Sequence, residues 1–477
     1  MFNVAKPNDF CPMTNDQLTD KKKLSLLDST TIIMGSMIGS GIFIVSAEIS
    51  RQVQTPGMLL LAWVVTAIIT IFGALSYGEL AAAMPKAGGQ YVYIREAFGK
   101  LPGFLYGWTL FSVIQTGTIA AVAVAFAKFT GVFIPAISAD NILLNLGFIA
   151  INTQQVLAVC IIVFLSLYNF RDIKAGALMQ NIFTISKVLA LLLLVILGLY
   201  FGFNGHGGAD NFSPMFPSVI TLATIGIFGA AMTGSLFSAD AWNNITFTAG
   251  EVRNPQRNLP ISLALGTSTV ILLYFLANVA YIYVLPIEKI QHAENDRVAT
   301  LLLETILGDK GKFFMAAMIM VSTFGCLNGC ILTAARVYYA MAKDALFFRQ
   351  ATVLNKNGSP ANSLTMQCIW ACLLCFSGTY GQLLNYIMFP TLLFYILTIS
   401  GLFKLRRTQP QLNRPYKAFG YPFIPAIYII LAALVCIDML IYQPTQSLWG
   451  LVIIAIGIPI YYFFNRAEAS LNPEERL

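Results

Sequence analysis

Residues Met34 to Phe43 read MGSMIGSGIF and fall inside an apolar stretch long enough to cross a membrane. Helices in hydrocarbon must satisfy every backbone N–H and C=O internally, because no water is present to pair with them. Gly35, Ser36, Gly39, Ser40 and Gly41 therefore fit that depth in one of two ways. Either the backbone unwinds against a cavity or ligand, or another helix packs closely on the small residues. A similar string, GAAMTGSLF from Gly229 to Phe237, recurs in a second apolar stretch. Two such interruptions, one in each half of a repeat-built chain, point to a site at the bilayer midplane.

Composition agrees with a membrane setting. The chain has 477 residues, 57% hydrophobic and 11% charged. Soluble domains carry about 25% charged residues. A span needs about twenty apolar residues, and such stretches lie near 28–52, 57–84, 101–130, 152–170, 176–202, 216–250, 259–285, 311–345, 362–380, 383–404, 421–441 and 448–466. The expected fold is all-α, a multi-pass protein of twelve transmembrane helices. The interruptions fall in the first and sixth stretches. Equivalent positions are separated by an odd number of spans, so the two halves enter the membrane in opposite directions. The domain expectation is a cytoplasmic tail over 1–27, a first repeat of five helices over 28–202, and a second over 216–404. Two added helices follow over 421–466, then a short tail over 467–477.

Lys and Arg set the orientation. Lys21 to Lys23, Lys86, Arg95, Lys100, Arg171, Lys174, Arg253, Arg257, Arg336, Lys343, Lys404, Arg406, Arg407 and Arg414 all fall on one side of the twelve-span arrangement. That side, with both termini, is expected to be cytoplasmic. The net charge of +7 follows from this bias, and no nucleic-acid partner is needed to explain it. The first residues lack the apolar core of a signal peptide. Seven of eight cysteines fall in expected spans and Cys11 in the tail, so no extracellular disulfide is expected. Cys368, Cys372 and Cys375 have no His or carboxylate neighbours, and are read as packing residues.

The chemistry lies at the breaks. Where a helix restarts, its first N–H groups lack acceptors and carry partial positive charge. Ser40, Gly41 and Ile42 would begin the second half of span one and suit a carboxylate. The carbonyls of Met37 and Ile38 would end the first half and suit an ammonium. Span six offers the same at Phe237, Ser238 and Asp240, with Asn243 or Asn244 bridging the loosened backbone. Paired breaks of this kind make a clamp for a zwitterion. Lys187, in the fifth span, has a charge that costs at least about 2.5 kcal/mol at the helix centre. It is read as a fixed cation that hydrogen-bonds exposed carbonyls of span one; the plainer alternative is a lysine snorkelling from a helix end. Asp240 either receives a substrate cation or is a protonated hydrogen-bonding group. Glu79 and Asp438 are read as interfacial or structural.

Six ordered motifs carry a resemblance: Ile32 to Phe43, Ser76 to Gly99, Leu236 to Asn244, Gly250 to Pro260, Arg336 to Phe347 and Arg414 to Pro425. Over nearly its full length the chain resembles the amino acid–polyamine–organocation superfamily. Within it, the chain looks like the L-amino acid transporter group, especially bacterial serine/threonine or alanine exchangers. The resemblance implies a five-plus-five inverted repeat of the LeuT-like fold, with substrate between spans one, three, six, eight and ten. It maps the carboxylate to Ser40 and Gly41, the amine to carbonyls of Met37, Ile38, Phe237 and Asp240, and a gating aromatic to Phe237. Lys187 matches a lysine that stands where sodium binds in relatives, implying sodium-independent transport. Tyr274 in span seven is a further candidate for steadying the broken helix. Animal light chains of this group carry a cysteine after span three that bonds a heavy chain. The segment FIPAISADNILLN, Phe133 to Asn145, has none, so no such partner is expected.

The expected activity is sodium-independent exchange of small or neutral L-amino acids across a plasma membrane, the bacterial inner membrane, with no cofactor. Proton-coupled uptake and cationic amino acid antiport remain open beside it, the latter because Asp240 is acidic. An enzyme is not expected, since the histidines are only His206 and His292, in expected external loops, and no GxSxG or HExxH string occurs. A channel would need charge rings or a filter motif, and neither is evident. A nutrient sensor on a transporter fold would commonly carry long cytoplasmic extensions.

Overall fold

The computed structural model describes residues 24–145, 150–171, 173–377 and 380–469. Helix α1 (Leu26–Met37) opens on a capping box. The Ser25 hydroxyl accepts from the Asp28 N–H, and the Asp28 carboxylate accepts from the Ser25 N–H at 2.8 Å. It stops at Ile38, whose backbone is extended, and α2 (Gly41–Val53) resumes after Ser40. Helix α3 (Pro56–Ala83) starts with proline at its first position, where no N–H is needed, and ends just before Met84-Pro85. Helix α4 (Gln90–Phe98) follows a turn with Gly88 and Gly89 at positive φ.

Helix α5 (Lys100–Thr109) runs through a π turn at Leu110–Ile114 into α6 (Gln115–Thr130). Strands β1 (Ile142–Asn145) and β2 (Ala150–Asn152) then pair antiparallel, a small exception to the all-α expectation. Helices α7 (Thr153–Tyr168), α8 (Ile173–Phe201) and α9 (Leu222–Ser238) lead to a single turn, α10 (Asn244–Phe247). The longer helices that follow are α11 (Pro255–Val284), α12 (Val298–Leu307), α13 (Asp309–Lys343), α14 (Ala361–Leu374), α15 (Tyr380–Thr408), α16 (Phe423–Tyr442) and α17 (Pro444–Ala469), with a short helix at Ile287–Gln291 after α11.

Among the described residues nine helices are long and apolar enough to cross a membrane, with Leu26–Val53 and Lys100–Thr130 each counted as one. The chain is thus an all-α, multi-pass membrane protein apart from the hairpin. The expected fourth, sixth and ninth spans are shorter apolar helices: Thr153–Tyr168, Leu222–Ser238 and Ala361–Leu374. The outer surface carries exposed Leu189, Ile196, Ile430, Leu434 and Phe463, a belt suited to lipid rather than water.

Inside, α11 packs on α3 and α1, α9 on α2, and α13 on α6 and α8. Glu79 is the centre of a paired polar cluster at one helix end. Buried Glu79 on α3 accepts from Arg406 at 2.9 and 2.5 Å and from the Ala418 N–H at 2.7 Å. Arg414 lies 3.3 Å from the same carboxylate. Asp438 packs against Gly229 of α9. Leu24 bridges Val252 in parallel, joining the chain ahead of α1 to the segment after α10.

Candidate functional site

The first break exposes a run of carbonyls, and protein donors take them. Lys187, on α8 and only 1% exposed, donates to Gly35 O at 2.5 Å, Ile38 O at 2.6 Å and Ser322 O at 3.3 Å. An ammonium has three donors, so its hydrogen-bonding capacity is filled without a carboxylate. The end of a helix carries partial negative charge, which is why a buried cation is stable beside α1. The snorkelling alternative does not describe this side chain. Tyr274 of α11 donates to Met37 O at 2.9 Å, and Tyr281 to Ile42 O at 3.3 Å. Ser322 Oγ donates to Gly39 O at 3.0 Å, and Cys326 Sγ to Ser36 O at 3.0 Å. The Met37 and Ile38 carbonyls, expected to face a substrate amine, thus each accept from a side chain of the protein already.

Helix α2 begins at Gly41 with Ser40 as its cap. As first-turn residues, Gly41 and Ile42 have N–H groups with no intrahelical acceptor. Gly41 is required by contact: a Cβ there would lie 2.7 Å from Ser238 Cβ and 3.0 Å from Ser238 Cα. The two breaks therefore touch, through Gly41 on one side and Ser238 on the other.

At the second break, α9 ends as the Ala239 N–H bonds Ser235 O at 3.0 Å and the Asp240 N–H bonds Phe237 O at 3.1 Å. Ala241 then takes φ 66°. That left-handed conformation costs a residue bearing a Cβ about 1–2 kcal/mol. The strain turns the chain so that Asp240 and Asn243 meet Tyr395 of α15. The Tyr395 hydroxyl lies 2.6 Å from Asp240 Oδ1 and 3.1 Å from Asn243 Oδ1. Asn243 Nδ2 donates to Gln90 Oε1 at 2.8 Å, and Gln90 Nε2 to Thr398 Oγ1 at 3.0 Å. Asp240 makes no salt bridge among the described residues.

A cavity of about 10 Å³ opens beside this chain of bonds, lined by Asp240, Asn243, Gln90, Tyr106, Gln115 and Tyr395 among others. That is room for about one water molecule. Its wall includes Leu110 and Ile114 of the π turn, an irregularity often found at functional sites. Of the residues expected at the site, Asp240 and Asn243 line this cavity. Met37, Ile38, Ser40, Gly41, Ile42, Phe237 and Ser238 do not. Phe237 is 8% exposed, in the last turn of α9.

Tyr395, Gln90, Gln115, Ser322 and Cys326 escaped sequence reasoning. Ser322 and Cys326 carried a usable signal, being small polar residues one helical turn apart in an apolar span. Tyr395, Gln90 and Gln115 carried none that separates them from the other polar residues of their helices, because only tertiary packing brings them to the second break.

Comparison with known proteins gives consistent matches. A family profile described as amino acid permease matches residues 24–464. The b(0,+)-type amino acid transporter 1 of Mus musculus is 30% identical over 449 residues, covering 93% of this chain and 88% of that protein. The large neutral amino acids transporter small subunit 2 of Homo sapiens is 30% identical over 450 residues, covering 93% and 80%.

Proposed function

The chain belongs to the amino acid permease family of the amino acid–polyamine–organocation superfamily, and from that premise we propose that it exchanges small or neutral L-amino acids by alternating access, without sodium. It is a transport protein rather than an enzyme. The proposed architecture is twelve spans in a five-plus-five inverted repeat of the LeuT-like type. The repeats run over 28–202 and 216–404, with two added helices over 421–466 and both termini cytoplasmic. The three short apolar helices would complete the count. The setting is the plasma membrane, a bacterial inner membrane, as for the bacterial exchangers the chain resembles. No disulfide-linked heavy chain is proposed.

One observation carries the sodium-independent reading: Lys187 Nζ reaches Gly35 O and Ile38 O within 2.6 Å. A cation fixed on those carbonyls competes with any ion that needs them. The substrate carboxylate would sit on the N–H groups of Ser40, Gly41 and Ile42, and its amine near the carbonyls of Met37, Ile38, Phe237 and Asp240. Phe237 would cover it, and Tyr274 would hold Met37. The contact of Gly41 with Ser238 supports one shared site rather than two. A ligand shifts the equilibrium between outward and inward states only by binding them unequally.

A second reading, cationic amino acid antiport, is favoured by Asp240. Its carboxylate has no salt bridge among the described residues and borders the cavity. Liposomes containing purified protein, preloaded with each amino acid in turn, test both. The expected result is uptake of labelled neutral amino acids only into loaded vesicles, unchanged when sodium is removed. Uptake that requires sodium would overturn the proposal. Accumulation that follows a proton gradient would replace exchange by proton coupling, and preference for lysine or arginine would select the second reading.

A further inference from the structure

The π turn at Leu110–Ile114 decides which residues of the span Lys100–Thr130 face the cavity. Its ladder closes from the Gln115 N–H to Leu110 O, five residues back. Tyr106 and Leu110 are four residues apart and share a face, as α-helical neighbours do. In a continuous α-helix Gln115 would point about 140° away from Leu110, at about 100° per residue. Tyr106, Leu110 and Gln115 nevertheless line the same cavity. The π turn therefore brings Gln115 to the wall that holds Asp240, and from there its Nε2 donates to Cys330 O at 3.3 Å.

Hydroxyl partners show where the register shifts. Thr109, Thr118 and Thr130 each donate to the carbonyl four residues back, at 2.7, 2.7 and 2.9 Å. Thr116 instead donates to Phe111 O, five residues back, at 2.6 Å. The carbonyl it passes over, Ser112 O, accepts from Trp370 Nε1 of α14 at 2.8 Å. Thr116 can follow its helix into either register, because both carbonyls belong to that helix. Trp370 cannot, since it is fixed on a neighbour. Its ring stacks on Phe111, with centroids 6.2 Å apart and planes at 21°. Trp370 is 37% exposed on the outer surface, where no water replaces a donor lost from a carbonyl. None of the cavity-lining residues comes from α14.

We propose that Trp370 is a positioning residue for substrate selection, whose indole N–H holds Ser112 O in the π register and so keeps Gln115 on the cavity wall beside Asp240. There the Gln115 amide favours a substrate side chain that can hydrogen-bond over an apolar one of the same shape. The inference rests on the exchange reading, and adds that selectivity is set in part from a helix that never reaches the site.

Threonine and valine are the probes, because they differ by one hydroxyl at nearly constant shape. Exchange into loaded liposomes gives kcat/KM for each with wild type, Trp370→Phe, Gln115→Leu and the double variant. Trp370→Phe keeps a ring on Phe111 and removes the N–H. The ratio of threonine to valine is expected to fall about fivefold in each single variant, the effect of one ordinary hydrogen bond. The double variant should fall no further, since both changes act through one amide. A supporting role alone would lower both substrates equally and leave the ratio unchanged. That result, or losses that multiply in the double variant, would overturn the proposal. Scintillation-proximity binding of the two labelled amino acids to detergent-solubilised protein gives the same ratio without transport. Wild type that binds but does not exchange would end the exchange reading, while the binding ratio still decides Trp370. Wild type that binds neither would overturn both.

Discussion

The Lys187 Nζ lies 2.6 Å from the Ile38 carbonyl oxygen, across the break that separates α1 from α2. The same nitrogen reaches Gly35 O at 2.5 Å, so one side chain ties the unwound segment to α8. Removing it takes the Lys187 donor from buried Gly35 O and leaves Ile38 O with the longer Ser322 Oγ contact at 3.3 Å. Each buried polar group left unpaired costs about 1–3 kcal/mol. Lys187→Ala is therefore expected to lower exchange by about tenfold or more, while size-exclusion profile and helical content stay close to wild type. Unchanged exchange in liposomes would remove Lys187 from the mechanism.

Asp240 accepts from Tyr395 at 2.6 Å and borders the small cavity. Asp240→Asn keeps an acceptor for that hydroxyl and removes only the charge. If the carboxylate selects cations, uptake of lysine relative to alanine should fall by about tenfold, the equivalent of about 1.4 kcal/mol. Competition assays with both labels check this. Equal loss for both substrates would assign Asp240 to holding Tyr395 and Asn243 rather than to selectivity.

The first break is legible in the sequence because a glycine and serine cluster conflicts with an apolar helix that must satisfy its own backbone; the second string, Gly229 to Phe237, is instead helical within α9, and the chain breaks only after Ser238. Met37 ends α1 and Gly41 begins α2 where that conflict is greatest. Lys187 is legible for the same reason, since a charge at that depth needs an unusual partner. The chain Asp240–Tyr395–Asn243–Gln90–Thr398 is not. Its members come from α4, the second break and α15, and only tertiary packing joins them. The π turn at Leu110–Ile114 is likewise silent, because one extra residue in a turn leaves the apolar pattern of a span intact. The strands Ile142–Asn145 and Ala150–Asn152 lie in a segment too short and mixed to show a period of two.

Phe237 occupies the final turn of α9, buried, immediately before the second break. A gating role predicts that its ring contacts bound substrate more than it supports the fold. Phe237→Ala is expected to raise KM for a neutral amino acid by about tenfold, with the yield of folded protein reduced less than that. Substrate efflux rates from preloaded liposomes provide the direct measure. Unaltered kinetics would make the ring a packing residue.

Gly41 and Ser238 test whether the two breaks act as one site. A Cβ on residue 41 would lie 2.7 Å from Ser238 Cβ, closer than side-chain carbons approach. Gly41→Ala must therefore push α2 away from the end of α9, and exchange should fall by about tenfold or more, since misplacing a bound group by an ångström has effects of that size. Ser238→Gly removes the crowded Cβ and Oγ but leaves Ser238 Cα 3.0 Å from the new carbon. The double variant Gly41→Ala/Ser238→Gly is thus expected to recover part of the lost activity, though not all. Residues in contact depart from additivity, whereas independent sites do not. Losses that simply add across the two single variants would show that the contact does not couple the breaks, and each would then have to bind its ligand group alone.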